Sequence, residues 1–389
     1  MSDLYKPFIK TKKQEELLDL AGNLADQFAE RAEQHDRDQV FPMENFQDLK
    51  GTAYPRLTVP KEFGGEEISL YEFVLIQERL AQGDASTALS IGWHLGSFME
   101  LGDNRPWDEK AFQSLCEQVV EKNSLINRAA TEPATGSPTR GGLPQTKAIF
   151  SEGKWSLSGR KTFTSMAKAL DYSVVSATLN NTEEKGWFLV DHRLNGVSIE
   201  ETWDTISMQG TGSDDLVLKE VILAEDALVE RDSKVARGLS PKGWLLHIPA
   251  CYLGVALAAR NHAIQFAKEY HPNSLPGPIK DVPEVQRKIG EIELELFKSR
   301  QLLYSVAEKW ANEPEKRAEM GPELAAVKHV ATNSASHVVD IAMRLVGARS
   351  LFRSNPMQRY YRDVRAGLHN PPMDDSVITM LSKKALMDE

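Results

Sequence analysis

The side chains best suited to chemistry in this chain are short hydroxyls, a few imidazoles and one amide, and they recur in short strings. Residues Thr131 to Thr139 read TEPATGSPT, which includes Ser137. Small residues and hydroxyls of this kind let a planar, polar group approach short donors and backbone amides without steric conflict; the plainer reading is a capped β-turn. The string GRKTFTS, Gly159 to Ser165, sets Phe163 two residues before Ser165, an apolar π surface next to a hydroxyl. A core phenylalanine on an alternating strand has the same pattern. His94 follows Trp93 in a helix-like run, and His369 precedes Asn370 and a Pro-Pro pair. Taken singly, the first reads as a satisfied helix histidine and the second as a loop histidine. His262, His329 and His337 lie on helical stretches without ligand-like spacing to carboxylates, so no metal site is expected. Cys116 and Cys251, far apart in apolar surroundings, read as buried thiols rather than a disulfide.

Three blocks of secondary structure must position these groups. Leu17, Ala21, Leu24 and Phe28 fall at helical spacing in an amphipathic stretch from Lys12 to about Ala32. After a break at Thr58 to Gly65, helices are expected over Leu70 to Ala81, from Asp84 and Ser86 onward with their N-cap chemistry, and over Glu109 to Lys122. The pattern then turns to β. Ala148 to Phe150 and Trp155 to Leu157 flank a Glu152-Gly153 turn, and Tyr172 to Thr178, Trp187 to Val190 and Leu216 to Leu223 are further short runs. Beyond Gly243 the helical period returns over about Trp244 to Tyr270, Pro283 to Trp310, Pro322 to Gly347 and Asp375 to Met387, as in a bundle that also packs against copies of itself. The expected fold is mainly α with a central β-domain. Its parts are an N-terminal helical domain (1–126), a middle β-barrel or sheet domain (127–229) and a C-terminal four-helix bundle (230–389).

At 389 residues the chain is long enough for an enclosed site between domains. A formal charge of −10 argues against nucleic acid as a partner, since phosphate contacts need a basic face. No apolar run approaches bilayer length and the amino terminus has no apolar leader core, so a cytoplasmic protein without membrane contact is expected.

The order helix, sheet, helix, with these strings as punctuation, resembles the acyl-CoA dehydrogenase family from about Leu17 to the last helix. TVPKEFGG at Thr58 to Gly65 looks like the family's proline-to-double-glycine turn, ERLAQGDASTAL at Glu78 to Leu89 is family-like, and TEPATGSPT is similar to its flavin loop. The resemblance implies that Thr131 contacts the isoalloxazine, Ser137 the phosphate side, and that Phe163 and Ser165 lie against the ring, where relatives commonly carry Trp at the first position. RLVGARSLFRSNPMQRYYRD at Arg344 to Asp363 resembles the stretch from the nucleotide-binding turn to the helix leading to the active site, placing Arg344 and Gly347 at the cofactor. Arg344 and Ala348 replace the usual Gln and second Gly, and YHPNSLPGPI at Tyr270 to Ile279 lacks the usual Arg-x-x-Phe-Gly grip on adenine.

Dehydrogenases of this family need a carboxylate that removes the proton next to the thioester. The matching position is Asn370, and the alternative position on an earlier helix is about Trp244. An amide cannot accept a proton at neutral pH. Asp374 and Asp375 follow closely, but suit the start of the last helix. Trp93-His94, TSMAKALDYSVVSA, TGSDD, VPEVQRKIGE and LHNPP instead resemble the dibenzothiophene monooxygenase-like branch, which uses reduced FMN and oxygen. There His94, Ser165 and His369, with Asn370 where that branch has Asp, would line the pocket that stabilises oxygenated flavin. Three readings follow from the resemblance: reduced-flavin monooxygenation of a small aromatic or organic compound with a flavin reductase as partner; FAD-dependent oxidation of an acyl-CoA with an electron-transfer flavoprotein as partner; or a non-catalytic flavin-binding paralogue. A homotetramer is the expected assembly.

Overall fold

The computed structural model describes residues 4–135, 142–231 and 241–387. Ser137 lies outside the described residues.

The first block is helical. Thr11 caps α1 (Lys12–Asp38), whose buried face carries Leu17, Leu18, Ala21, Leu24, Ala25 and Phe28. A short helix with no strong periodic signal, α2 (Met43–Lys50), follows. Ser69 and Glu72 form a reciprocal capping box at the start of α3 (Leu70–Leu80), satisfying two otherwise orphaned backbone donors. Asp84 caps α4 (Ala85–Asn104) by accepting from the Thr87 N–H, while Asp108 caps α5 (Glu109–Lys122).

The middle block is one eight-stranded sheet: β1 (Ile126–Ala129), β2 (Lys147–Ser151), β3 (Lys154–Lys161), β4 (Tyr172–Leu179), β5 (Lys185–Asp191), β6 (Val197–Glu200), β7 (Asp215–Ala224) and β8 (Leu228–Arg231). The order is β6-β7-β3-β2-β4-β5-β8, and β1 pairs in parallel with β4. The β2–β3 hairpin turns through Glu152 and Gly153, both at positive φ. Strands β1, β6 and β8 are four residues each, too short to leave a periodic signature in sequence.

Helices α6 (His247–Glu269), α7 (Pro283–Asn312) and α8 (Gly321–Val346) form the C-terminal bundle, completed by α9 (Pro356–Ala366) and α10 (Asp374–Met387). Their core is continuous with that of α1, α3 and α4; Trp155, Leu157, Val175 and Phe188 centre a separate core inside the sheet. A third cluster, with Phe98, Phe112, Ile126 and Val174, fastens α4 and α5 to the sheet. At the centre of the helical core the buried Arg300 guanidinium donates to both Glu78 carboxylate oxygens (2.9 and 2.8 Å), and the Tyr304 hydroxyl joins them at 3.0 Å. Among the described residues no helix is long and apolar enough to cross a membrane.

Candidate functional site

Strand β3 ends at Lys161, and the chain after it leaves the sheet instead of continuing as the alternating strand expected for GRKTFTS. Phe163 and Met166 both take positive φ, a conformation that bulky residues adopt only when their surroundings enforce it. The enforcement is a set of backbone bonds to the β6–β7 connection: Thr164 N–H to Asp214 O (3.3 Å), Met166 N–H to Thr211 O (2.7 Å) and Ala167 N–H to Gly212 O (3.3 Å). As a result Phe163 is 65% exposed, not core, with Trp203 edge-on at 5.5 Å. Thr131 is brought alongside because its carbonyl accepts from the Thr162 N–H at 2.9 Å. Beneath lies the buried Glu132–Lys161 ion pair (2.5 Å), with further bonds from Thr146 to Glu132 and from Lys161 to Ser176. Lys161 gains the carboxylate, yet burial holds its ammonium down at about 8.

The half-buried Ser165 hydroxyl is 3.0 Å from Ser213 Oγ, which is 2.9 Å from Thr211 Oγ1, which lies 2.9 Å from the Met208 carbonyl. The Met208 N–H in turn donates to Asp363 Oδ1 (2.6 Å) on α9, and the Arg362 guanidinium reaches the Ile206 carbonyl (2.9 Å) and Asp36. Helix α9 therefore clamps the hydroxyl-bearing loop onto the bundle. Burial lifts the Asp363 carboxyl to about 7 against the Met208 N–H and its neighbouring arginines.

One turn beyond α9, Asn370 Oδ1 accepts the Tyr252 O–H at 2.7 Å. Tyr252, fully buried on α6, packs its ring where a β-carbon on Gly367 would stand. Asp374 faces α8 instead, with Asn333 Nδ2 at 2.9 Å, His329 Nδ1 at 3.2 Å and Lys328 Nζ at 3.6 Å; it docks α10. Trp244 is buried, with its Nε1 unpartnered among the described residues.

The other residues singled out in sequence lie in different settings. His94 is fully buried on α4: its Nε2 donates to Pro55 O (2.7 Å) and its Nδ1 accepts from the Ile126 N–H (3.1 Å). Both nitrogens are spent on backbone, and desolvation lowers the ring to about 4, so it is a neutral strut between α4 and β1 rather than a free donor at a pocket wall. His369 is exposed on the turn after α9. Arg344 pairs with Asp340 (2.8 Å) at the edge of a groove of about 490 Å³ between α7 and α8, lined also by Glu284, Arg287, Lys288 and His337. Gly347 ends α8 at φ 72°, ψ −156°, a conformation reserved for glycine.

Sequence reasoning missed Tyr252, Trp203 and His247. His247 is fully buried at the start of α6 with neither ring nitrogen bonded among the described residues, parallel to Phe73 and Trp244 and edge-on to Trp93. Its signal was available: Gly92 and Gly96, one helical turn apart on α4, are where β-carbons would stand 2.2 Å from His247 Nδ1 and from Trp244 Cε3.

Helical flanks around a single sheet, with an aromatic and hydroxyl face clamped by a late helix, define the class of fold. The family profiles for the acyl-CoA dehydrogenase N-terminal, middle and C-terminal domains match residues 11–103, 127–221 and 246–370. The chain belongs to the acyl-CoA dehydrogenase family and is by class a flavoprotein oxidoreductase. YdbM of Bacillus subtilis (strain 168), provisionally named an acyl-CoA dehydrogenase, is 53% identical over 378 residues, covering 97% of this chain and 98% of its own. Among solved structures, butyryl-CoA dehydrogenase from Megasphaera elsdenii superposes with a TM-score of 0.86 at 19% identity, covering 97% and 99% of the two chains. The dibenzothiophene monooxygenase TdsC from Paenibacillus sp. A11-2, solved with FMN and indole, gives 0.84 at 22% identity over 94% and 95%. At such identities the two structures speak for the fold alone.

Proposed function

We propose that this chain uses reduced flavin and O2 to oxygenate a small organic substrate. The observation that carries the reading is Asn370: its carbonyl oxygen is occupied by the Tyr252 O–H, so what the amide has left to offer is its Nδ2 donor, at the position where the family resemblance puts the proton acceptor of dehydrogenation. Trp244 supplies no carboxylate at the alternative position, and Asp374 is engaged by α8.

The residues fit a flavin ring. Phe163 offers an exposed apolar face, Thr131 and Ser165 stand beside it, and the buried Thr164 Oγ1 is unpartnered among the described residues. Flavin, when bound, supplies the electrons that reduce O2, one oxygen atom passing to the substrate and the other leaving as water. Phe163 and Trp203 orient the ring, and Thr131 and Ser165 hold its edge; Ser137 belongs to this set by resemblance. Asn370 Nδ2, half-buried, and the exposed His369 imidazole are the donors for the oxygen side. His94 supports the wall through its backbone bonds, and Arg344 and Gly347 flank the phosphate end. FMN is the cofactor on this reading, with a flavin reductase as partner. Exposed Leu294 and Phe297 on α7, with Leu351 and Phe352 after α8, are the apolar surface for a homotetramer.

Incubation with reduced FMN, 18O2 and a panel of aromatic and aliphatic small molecules is expected to give product carrying one 18O. Incorporation from water, or product formed without O2, refutes the reading. A second reading, FAD-dependent acyl-CoA dehydrogenation with an electron-transfer flavoprotein, draws on family membership and the name of the Bacillus relative.

A further inference from the structure

We infer that a polar pocket between the end of α1 and the β6–β7 connection binds a small primary ammonium ion. The pocket encloses about 280 Å³, and its walls include Phe41, Lys168, Trp203, Asp204, Gln209 and Asp214. Local sequence shapes it. Gly212 takes φ 47°, and a β-carbon there would stand 2.5 Å from Phe41 Cδ2, so glycine is what lets the connection close on that ring. Asp214 then pins the two ends of the connection together, its Oδ1 accepting from the backbone N–H groups of Thr202 (2.9 Å) and Trp203 (3.0 Å).

Charge, unmet acceptors and aromatic surface together define the ligand. Lys168 is already paired with Glu201 at 3.0 Å, which leaves Asp204 and Asp214 without a cation in salt-bridge reach among the described residues. Asp214 is only 4% exposed, yet its Oδ2 has no donor among the described residues, and neither has the enclosed Gln209 Oε1. Buried acceptors in this state favour a ligand that brings N–H groups. Phe41 and Trp203 add ring surface, which is favourable beside an organic cation. Among the described residues no three His, Cys, Asp or Glu side chains converge as metal ligands would. A primary ammonium meets every requirement: positive charge for the carboxylates, N–H donors for Asp214 and Gln209, and an alkyl stem for the rings. A quaternary ammonium has the charge without the donors, and an alcohol has a donor without the charge. The volume is below that of drug-sized sites, so the stem is short. Trp203 also stands edge-on to Phe163 at 5.5 Å, so the pocket shares a ring with that exposed face; the inference does not depend on what Phe163 binds.

The test titrates the full chain, without added flavin and at constant ionic strength, with n-butylammonium, tetramethylammonium, n-butanol and Mg2+. It follows the Trp203 indole N–H resonance by NMR, assigned through its loss in Trp203→Phe. Butylammonium is expected to shift that resonance saturably, with a dissociation constant of about 1 mM or below. Tetramethylammonium should bind at least about tenfold more weakly, and n-butanol and Mg2+ should give no saturable shift. Asp214→Asn keeps an oxygen for the Thr202 and Trp203 N–H groups while removing the charge, and is expected to weaken butylammonium about tenfold. Should that variant misfold, Asp204→Asn, at an exposed side chain, carries the same direction at about threefold. Equal affinity for the two ammonium ions overturns the inference, as does unchanged affinity in the folded variants. Saturable binding of Mg2+ in place of the amine, or no saturable shift with butylammonium up to about 20 mM, overturns it as well.

Discussion

On the proposed reading Asn370 is the residue on which the chemistry turns, and the Tyr252 hydroxyl is what holds its amide. Tyr252→Phe removes one buried hydrogen bond, expected to cost about 1 kcal/mol in urea unfolding. It also leaves the Asn370 amide free to rotate, so coupling of flavin oxidation to product should fall several-fold; unchanged coupling would mean that the amide's direction is irrelevant. His94 behaves oppositely. His94→Ala strands the Pro55 carbonyl and the Ile126 N–H in the interior, an expected loss of about 2 to 5 kcal/mol in the same assay. A loss below about 1 kcal/mol would show that the ring is not a strut. That an amide stands at position 370, where the resemblance puts a base, was legible in sequence because the position sits at a short, fixed offset from Asp363. Its partner was not: Tyr252 lies 118 residues away, and no periodicity marks a side chain that meets a turn across the fold. Phe163 was legible as an aromatic but not as exposed, because its surface position depends on a positive φ held by another loop.

At the scale of elements, the contact of α4 with α6 and the clamp of α9 on the β6–β7 connection fix how the domains meet. Gly92 and Gly96 let His247 at the start of α6, and Trp244 on the turn before it, lie close against α4, where an added β-carbon would stand 2.2 Å from ring atoms. Gly96→Ala should therefore destabilise by about 1 to 3 kcal/mol and shift Trp244 fluorescence; a neutral substitution would contradict this packing. The long helices were legible from their apolar period, α5 down to both end residues. The short strands and α2 were not, since four to eight residues supported by distant partners carry too little pattern. The hydroxyl chain falls in the same class: TGSDD was visible as a string, but its link to Ser165 depends on two loops meeting.

For the whole molecule, protons decide where the fold is robust. Burial lowers His94 and His192 to about 4 and His247 to about 3, from 6.5 in the unfolded chain. Each keeps the folded state neutral while the unfolded chain binds a proton, so stability is full above pH 6.5 and is lost as pH falls toward 4. Asp363, raised from 3.8 to about 7, works in the other direction, its contribution present at low pH and lost as pH rises through 7. Three histidines against one aspartate leave a net two protons, an upper slope of about 3 kcal/mol per pH unit between pH 6.5 and 4. Urea midpoints should drop steeply over that window and stay nearly level from pH 7 to 8; a flat profile through pH 5 would mean that these rings are solvated.

Whether the proposed flavin site oxygenates rather than dehydrogenates is decided by anaerobic titration of the flavin-loaded protein with acyl-CoA thioesters of short, medium and long chain. With an amide at position 370, the absorbance of the oxidised flavin is expected to persist for every thioester. Stoichiometric bleaching by any one of them, with an enoyl-CoA product, would contradict it.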